Sequence, residues 1–369
     1  MPDNPTQIPY VNLSAQWQDD RLELLPIVDN VLGSGQYVGG DEVDKFEEKI
    51  AKFCEVKYAV ALNSGTDALA LAMHLLGISR GDEVITPPNS FIASTAMIVH
   101  LGARPVFVDV LPDQNIDPGK IEAAITDKTK AIMPVHLTGR VCDMDPILKI
   151  ADKYGLVIVE DAAQAIGSKY KGRSSGSFGH VSCFSTHPLK NLNACGDGGF
   201  ITTDDEYVYS RGKVLCNHGL KDRNTVDEFG YVSRMDNLQA AILNYRLDKL
   251  DKIIKERRKN AQTYFDEIQA EEIYMPKEKK HEFNTYHTFV IQAEKRDALK
   301  VFLINRKIET VIHYPTPIHL QPAANDLGYK NGDFPVTENQ SKNILTLPIN
   351  QSLSRDEVQT IISSVNEFL

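Results

Sequence analysis

Short apolar runs alternate with amphipathic segments between about residue 55 and residue 205. Residues 58–62 are apolar or aromatic throughout, and residues 67–76 follow with apolar side chains at the three-to-four-residue spacing of a helix. The pattern predicts strands at 58–62, 83–86, 105–110, 130–135 and 156–161, and helices at 67–76, 90–101 and 145–154. Strands that are apolar on both faces and separated by helices are typical of an α/β fold with a mostly parallel sheet covered by helices.

The second part of the chain begins with a long polar segment, 237–260, which we predict as one helix. Beyond it, the pattern predicts a strand at 288–291, a helix at 296–306 and a strand at 310–315. We therefore predict a large domain over 1–245, including the N-terminal arm, and a smaller C-terminal α+β domain over 246–369. Because ligands of mainly parallel sheets bind at the carboxyl ends of the strands, the residues that follow each strand are the candidates for chemistry.

Composition narrows the classes of function. Of the 369 residues, 42% are hydrophobic and 24% are charged, as in an ordinary soluble globular protein. The formal net charge of -10 provides no global positive field, so we expect neither nucleic acid nor a membrane surface as a partner. Two basic clusters, 255–259 and 277–280, are broken by Glu, and we predict them as solvated faces.

Targeting and cysteine patterns indicate a cytoplasmic protein. The residues from Met1 to Pro5 lack the basic and apolar regions of a signal peptide, and no apolar run reaches the length of a membrane span. Five cysteines without a C-x-x-C pair indicate reduced thiols rather than a disulfide framework or a zinc site. The histidines are scattered without the spacing of metal ligands, so no metal is expected.

The segment Asn63-Ser64-Gly65-Thr66-Asp67 lies between a predicted strand and a predicted helix. At such a junction, free backbone N–H groups and the helix dipole can hold an anion. Gly65 would let a phosphate approach the backbone, and the Thr66 hydroxyl would add a hydrogen bond. A simple helix cap explains the same residues, so this segment alone does not decide between the two interpretations.

Asp161 ends a very apolar strand, so its carboxylate must emerge at the sheet edge or be paired. One interpretation is a structural salt bridge or a helix cap. The other is a carboxylate that accepts a hydrogen bond from the protonated ring nitrogen of a pyridinium cofactor. Gln164 follows three residues later and would point the same way from the first turn of a helix.

Lys190 follows an apolar run and precedes the glycine-rich segment 196–199. For a lysine in general, a surface charge is the ordinary interpretation. A lysine that bonds a carbonyl carbon instead needs a partly buried position where the amine readily loses its proton. Hydroxyl, imidazole and glycine residues flank Lys190, which supports the hypothesis of a buried position.

These segments resemble the PLP-dependent sugar aminotransferases of the DegT/DnrJ/StrS family, which have the aspartate-aminotransferase (type I) fold. The resemblance covers nearly the whole chain. It is carried, in order, by GSGQYVGG (33–40), NSGTDAL (63–69), GDEVI (81–85), PVFVD (105–109), PVHLTG (134–139), EDAAQA (160–165), the Lys190 segment, GDGG (196–199), SRMDNLQAA (233–241) and HYP (313–315). It implies a seven-stranded type of sheet flanked by helices, the large domain of a type I PLP transferase, with a smaller C-terminal domain.

The resemblance also implies roles for individual residues. Lys190 would bond the aldehyde of PLP and act as the general acid and base that moves the proton, with the cofactor passing through its amine (PMP) form. Asp161 would pair with the pyridine nitrogen, and Gln164 would contact the ring hydroxyl. The other implied contacts are phosphate binding by Gly65, Thr66 and Ser185 and stacking of Phe91 on the ring.

Two positions depart from the family pattern. Val232 stands where the family usually has an Asn that reaches the phosphate of the other subunit, so that contact is not expected here. His187 stands where many relatives have an aromatic residue, and it either contacts substrate or packs beside Lys190. His313 and Tyr314 resemble a segment near the sugar site, and a strand and turn that close the small domain are the alternative interpretation.

By this resemblance, the expected reaction is transfer of an amino group from glutamate to a keto group of a nucleotide-linked deoxysugar. The segment 312–321 is more similar to relatives that act at C3 than at C4, so a 3-keto-6-deoxyhexose is the expected acceptor. A 4-keto sugar and a UDP-2-acetamido-3-keto sugar are the alternatives. The resemblance further implies a homodimer with a shared active site.

Two other classes of function stay open at this point. An NAD-dependent sugar oxidoreductase would use the glycines of 33–40, but these do not follow a predicted strand. A non-catalytic PLP-binding regulator would share the cofactor site without turnover.

Overall fold

The computed structural model describes residues 7–368. Its strands are β1 Tyr58–Leu62, β2 Glu83–Thr86, β3 Arg104–Phe107, β4 Thr129–Ile132, β5 Val157–Asp161, β6 Lys169–Tyr170, β7 Arg173–Ser174, β8 Val181–Ser185, β9 Gly199–Thr203, β10 Ile273–Tyr274, β11 Glu282–Phe283, β12 Phe289–Ala293 and β13 Ile344–Leu347. Its α-helices are α1 Leu13–Ser34, α2 Asp41–Phe53, α3 Gly65–Leu75, α4 Ile92–His100, α5 Pro118–Ile121, α6 Met144–Tyr154, α7 Glu206–Leu215, α8 Asn237–Leu247, α9 Leu250–Glu267, α10 Arg296–Asn305, α11 Pro335–Asn343 and α12 Arg355–Phe368. No helix in this range is long and apolar enough to cross a membrane.

Seven strands form the central sheet in the order β1-β9-β8-β5-β4-β2-β3. Strand β9 runs antiparallel to both of its neighbours, and every other pair is parallel. Successive side chains of β1 enter different cores, since Val60 and Leu62 pack with α3 whereas Ala59 and Ala61 pack with α2 and α8. The predicted fold class, an α/β fold with a mostly parallel sheet between helices, is therefore confirmed.

The predicted helix over 237–260 is wrong as one element, because a turn at Asp248 and Lys249 interrupts it between α8 and α9. Helix α8 packs Leu243 and Leu247 in a core of the central sheet. Helix α9 starts in the same core with Ile254 but reaches the C-terminal core with Ala261 and Tyr264. Helix α9 therefore connects the two cores, whereas the buried apolar side chains of α8 lie in the core of the central sheet.

The C-terminal region has its own antiparallel sheet, in the order β10-β12-β13. A buried core joins this sheet to α9, α10 and α12, and Ile8 of the N-terminal arm packs in it and forms a bridge with Ile308. The predicted strand at 310–315 is wrong, because only Val311 forms a bridge, with Thr346. Pro315 and Pro317 have no N–H to donate to a strand ladder. The domain boundary at 245/246 stays a prediction.

The C-terminal region is fixed to the edge of the central sheet by Asp109. Its carboxylate accepts hydrogen bonds from the backbone N–H groups of Val336 and Thr337, at 3.1 and 2.9 Å, and from the Thr337 hydroxyl at 2.9 Å. Asp109 thus caps the start of α11 from the other side of the junction. Burial alone raises the pKa of Asp109, but these hydrogen bonds outweigh it and lower the pKa below its usual value.

One basic cluster is not the solvated face that we predicted. Arg257 is buried, and its Nη1 donates to the carbonyl oxygens of Tyr286 and His287, both at 3.2 Å. Arg258 pairs with Glu278 at 2.7 Å. The cluster therefore holds the loop of residues 284–288 in place, and that loop borders the site described next.

Candidate active site

Asp161 is the last residue of β5 and is buried at the carboxyl edge of the sheet. Its Oδ2 accepts a hydrogen bond from Ser94 Oγ at 2.7 Å, and its Oδ1 accepts one from the backbone N–H of Ala163 at 3.2 Å. An ionised carboxylate offers about four acceptor positions. Two donors fix the orientation of Asp161 and leave room for a further donor from a ligand.

Lys190 lies in the loop between β8 and β9 and is half-buried. Its surroundings remove water from the amine and lower its pKa to about 8, against the attraction of Asp161, which raises the pKa. A lysine in this state is partly neutral near pH 7 to 8, as a nucleophile or general base must be. The sequence-based hypothesis placed this amine near Asp161, and the structure brings the two groups within electrostatic reach.

Gln164, Tyr314 and Phe91 lie side by side next to Asp161. Gln164 is buried, its Oε1 accepts from the backbone N–H of Thr138 at 2.9 Å, and its side chain lies beside the Tyr314 hydroxyl. The ring centroids of Phe91 and Tyr314 are 5.9 Å apart, and Phe91 keeps 56% of its surface exposed. An aromatic ring exposed beside buried polar groups can stack on a planar ligand.

The start of α3 lies against the end of β8. Ser64 caps the helix, its Oγ accepting from the backbone N–H of Asp67 at 3.0 Å. A Cβ built on Gly65 would lie 2.7 Å from the Cβ of Ser185, so only glycine fits this approach. Because the first N–H groups of a helix have no acceptor within it, Gly65 and Thr66 offer donors at the place where the Ser185 hydroxyl also lies. The cap interpretation is therefore confirmed, and the free donors keep the anion cradle as a prediction.

The two candidate histidines have different environments. His187 is exposed, and its Nδ1 accepts from the backbone N–H of Leu189 at 3.3 Å. The Nδ1 of His313 lies 3.0 Å from Thr346 Oγ1, and burial together with the nearby Lys190 lowers the pKa of His313 to about 4. His313 is therefore neutral near pH 7 and faces the site, whereas His187 faces solvent next to it.

Sequence reasoning missed Ser94 and the pair formed by Glu160 and His136. Glu160 precedes Asp161 on β5 and points to the other face of the sheet, where its Oε2 accepts from His136 Nε2 at 2.9 Å. His136 Nδ1 accepts from the backbone N–H of Cys142 at 3.2 Å, so the ring N–H that faces Glu160 is on Nε2. The segments 134–139 and 160–165 are motifs of the resemblance. The signal for the different roles of Glu160 and Asp161 is that successive side chains of a strand point to opposite faces of the sheet.

A loop of the C-terminal region, 284–288, was also missed. The backbone carbonyl of Thr285 accepts from Asn191 Nδ2 at 3.2 Å, next to Lys190. His287 in this loop is buried, and its Nδ1 has no hydrogen-bond partner among residues 7–368. Burial, Lys190, Arg257 and His313 all lower the pKa of His287, so its ring is neutral. More than ninety residues separate Asn191 from Thr285, and local sequence patterns carry no information on such a contact.

A cavity of about 480 Å³ opens beside the start of α3. It is lined by Asn63, Ser64, Gly196 and Arg234, among others. Arg234 Nη1 donates to Asn217 Oδ1 at 2.8 Å, which holds this cation near the predicted anion cradle. Val232, which stands where the family usually has Asn, is two residues before Arg234 in sequence, and its side chain is exposed.

The residues present fit PLP. The start of α3 and Ser185 supply donors for a phosphate, Asp161 keeps acceptor capacity for a ring N–H, and Lys190 supplies an amine with a lowered pKa. Phe91 supplies an exposed aromatic face. A mainly parallel seven-stranded sheet with this set of residues at its carboxyl edge is the large domain of a fold-type I PLP enzyme.

The chain belongs to the DegT/DnrJ/EryC1/StrS aminotransferase family, whose model matches residues 18–366. A relative from Aneurinibacillus thermoaerophilus, named dTDP-3-amino-3,6-dideoxy-alpha-D-galactopyranose transaminase, is 41% identical, over 98% of this chain and 99% of the relative. Another, from Geobacillus stearothermophilus, is named pleiotropic regulatory protein and is also 41% identical, over 98% of both chains. The predicted family and the predicted enzyme class, an aminotransferase, are thus confirmed.

Solved structures give the same result. The crystal structure of S. venezuelae DesV matches with a TM-score of 0.96 at 39% identity and covers 98% of both chains. NtdA from Bacillus subtilis, solved with bound PMP, matches with a TM-score of 0.92 at 31% identity, over 99% of this chain and 86% of that one. The fold is therefore that of PLP-dependent sugar aminotransferases and not that of an NAD-dependent oxidoreductase.

Proposed function

We propose that this protein transfers an amino group from glutamate to the keto group at C3 of a nucleotide-linked deoxysugar, with PLP as cofactor. The observation that carries the proposal is the half-buried Lys190, with its pKa lowered to about 8, beside the buried Asp161 at the carboxyl edge of the sheet. PLP supplies an electron-accepting ring that makes a proton on the carbon next to the amino group acidic. The protein must bind that ring, orient it and move the proton.

Each residue has a distinct task in this proposal. The start of α3, with Gly65 and Thr66, and Ser185 bind the phosphate, because their N–H and O–H groups donate toward an anion. Asp161, held by Ser94, accepts the hydrogen bond of the ring nitrogen and keeps it protonated. Lys190 Nζ takes the proton from the carbon that bears the amino group of the donor and delivers it to the cofactor carbon.

The remaining contacts orient the ring. Gln164, held by the backbone of Thr138, reaches the ring hydroxyl, and Phe91 stacks on the face of the ring. Tyr314 links Gln164 to Phe91 and borders the place where the sugar binds. His313 is neutral and lies near Lys190, so it donates or accepts a hydrogen bond there without opposing the proton movement. His187 is exposed beside the site, as a contact to the sugar requires.

Names of relatives support C3 as the site of amination. The relative from A. thermoaerophilus is named for a 3-amino-3,6-dideoxy sugar. The more distant relatives named for UDP sugars include 3-aminotransferases as well. The proposed acceptor is therefore a 3-keto-6-deoxyhexose, and a 4-keto sugar or a UDP-2-acetamido-3-keto sugar is the alternative.

A homodimer is part of the proposal. Large apolar side chains are exposed on α1, on α4 and in the segment 226–232, where Phe229 is fully exposed. Exposed apolar surface of this kind marks a surface that another protein covers. The segment 226–232 leads directly to Arg234 in the cavity beside α3, so a second copy of the chain would cover the phosphate end of the site.

The proposal is tested by the two halves of the reaction. Holoenzyme mixed with glutamate should lose the absorption of PLP, gain that of PMP and release one equivalent of oxoglutarate. A panel of dTDP-, UDP- and GDP-linked 3-keto and 4-keto sugars should then restore the PLP spectrum, fastest with a 3-keto-6-deoxyhexose. A holoenzyme whose spectrum glutamate does not change, while PLP stays bound, would favour a regulator over the proposed enzyme.

A further inference from the structure

The buried side chain of Asn193 connects the parts of the loop that precede and follow Lys190. Its Nδ2 donates to the carbonyl oxygen of Pro188 at 2.7 Å, two residues before Lys190. The same amide exchanges two hydrogen bonds with Gln16 of α1, at 3.0 Å from Asn193 Nδ2 and at 2.9 Å from Gln16 Nε2. Two amides that donate to each other and accept from each other hold a fixed relative orientation.

Arg246 of α8 closes the network from the other side. Its Nη1 donates to the backbone carbonyl of Asn193 at 2.7 Å and lies 3.2 Å from Asn193 Oδ1. The Nε of Arg246 lies 3.5 Å from the Asp20 carboxylate of α1. A cation, a carboxylate and two amides from three separate segments of the chain therefore meet behind the Lys190 loop.

All four side chains are buried, namely Gln16, Asp20, Asn193 and Arg246. Buried polar side chains cost free energy unless they are paired, so an apolar contact between α1, α8 and the loop would have been the simpler solution for packing alone. The network differs from apolar packing in one respect, since it is directional and fixes particular carbonyl groups of the loop. Within residues 7–368, no hydrogen bond or ion pair joins these four side chains to Asp161 or to the start of α3.

We propose that Asn193, Gln16 and Arg246 are positioning residues that set the place of the Lys190 amine by holding its loop on both sides. This inference rests on the proposed function, in which Lys190 bonds PLP and moves the proton. Helix α1 then acts on the reaction from a distance, through Gln16 and Asp20, although it supplies no side chain to the site.

The position of Lys190 determines its ionisation. The groups that face its amine are Asp161, which raises the pKa, and His287 and His313, which are neutral. Burial is the larger effect and lowers the pKa of Lys190 to about 8. A loop that is free to move lets water reach the amine, so the pKa of Lys190 rises toward the value of an exposed lysine, about 10.4.

The test measures this ionisation in enzyme from which the cofactor has been removed. Acetic anhydride labels neutral amines, and mass spectrometry follows the Lys190 peptide from pH 6 to pH 10. In wild-type protein, half-maximal labelling of Lys190 is expected near pH 8. In Asn193→Ala and in Gln16→Leu the midpoint should shift upward by about one pH unit or more, and loading of PLP at pH 7.5 should slow about fivefold or more.

Gln18→Leu is the matched control, because Gln18 is exposed on the same helix two residues away. Its midpoint should equal that of the wild type. Folded variants with unchanged midpoints but lower melting temperatures would overturn the inference, since that is the result of a purely structural network. If neither variant folds, the network serves the whole fold rather than the loop, and the inference is likewise overturned.

The same samples separate this inference from the proposed function. Wild-type protein is incubated with PLP, reduced with borohydride and digested. If the cofactor is not found on Lys190, the proposed function fails whatever the midpoints are. If the cofactor is on Lys190 and the variants titrate as the wild type does, only the inference fails.

Discussion

Two neighbouring carboxylates at the end of β5 have opposite environments. Asp161 faces the site and accepts two hydrogen bonds, from Ser94 and Ala163. Glu160 faces the other side of the sheet and accepts five, from the backbone N–H groups of Gly176, Phe178 and Gly179, the Ser182 hydroxyl and His136 Nε2. One carboxylate is incompletely paired, and the other is saturated.

This difference in hydrogen bonding indicates that Asp161 binds a ligand and that Glu160 stabilises the structure. A buried carboxylate with spare acceptor capacity is held ready for a ligand, whereas a saturated one can only stabilise the structure around it. Glu160 draws the turn between β7 and β8 onto β5, and β8 leads directly to Ser185 and the Lys190 loop. The two residues should therefore respond to substitution in opposite ways.

The largest effect is expected for Asp161→Asn. The amide cannot keep the ring nitrogen of PLP protonated, so kcat should fall by about 10³-fold or more, while the melting temperature changes little. Steady-state kinetics and calorimetry on the same preparation measure both quantities. A variant that loses stability but keeps kcat would reverse the assignment of Asp161 and Glu160.

Glu160→Gln should act mainly on stability. The variant places an amide NH₂ among five donors, so the free energy of unfolding should fall by about 3 kcal/mol, the scale for leaving buried donors without an acceptor. Chemical denaturation measures this difference, with Glu256→Gln on the surface of α9 as the control. Loss of kcat in folded Glu160→Gln to the level of Asp161→Asn would contradict the division between the two carboxylates.

The pH dependence of stability sharpens the same prediction. Burial by itself raises the pKa of Glu160, but hydrogen bonds from His136, Ser182 and Gly179 outweigh it and lower the pKa below its ordinary value. A carboxylate with a lowered pKa contributes stability that is present above the unfolded-state pKa, about 4.3, and is lost as the pH falls through the folded-state value. The stability difference between wild type and Glu160→Gln should therefore be largest near neutral pH and shrink in acid.

The smallest effect is expected for Phe91→Ala. Stacking contributes about 1 kcal/mol, so the Kd of PLP should rise about fivefold, with the melting temperature of the cofactor-free protein unchanged because Phe91 is exposed. Equilibrium dialysis with PLP measures the change. An unaltered Kd would remove Phe91 from the cofactor site.

Much of the site could be predicted because it follows strand ends. Gly65 and Lys190 follow β1 and β8, and Asp161 is the last residue of β5. Apolar periodicity located β1 and β5. What could not be predicted depends on contacts between distant segments. Ser94 reaches Asp161 across 67 positions, and Asn193 reaches Gln16 across 177. Local propensity carries no signal for such pairs. The wrongly predicted strand at 310–315 failed for a local reason instead, because Pro315 has no N–H to donate to a strand ladder.

The central claim is that Lys190 bonds the cofactor beside Asp161. The most direct measurement is the mass of the peptide that retains PLP after borohydride reduction and digestion of the holoenzyme. We expect a phosphopyridoxyl group on Lys190 in wild type and in Lys259→Ala, a matched exposed lysine, and none on that peptide in Lys190→Ala. A label on another lysine, or PLP bound without any reducible bond, would contradict it.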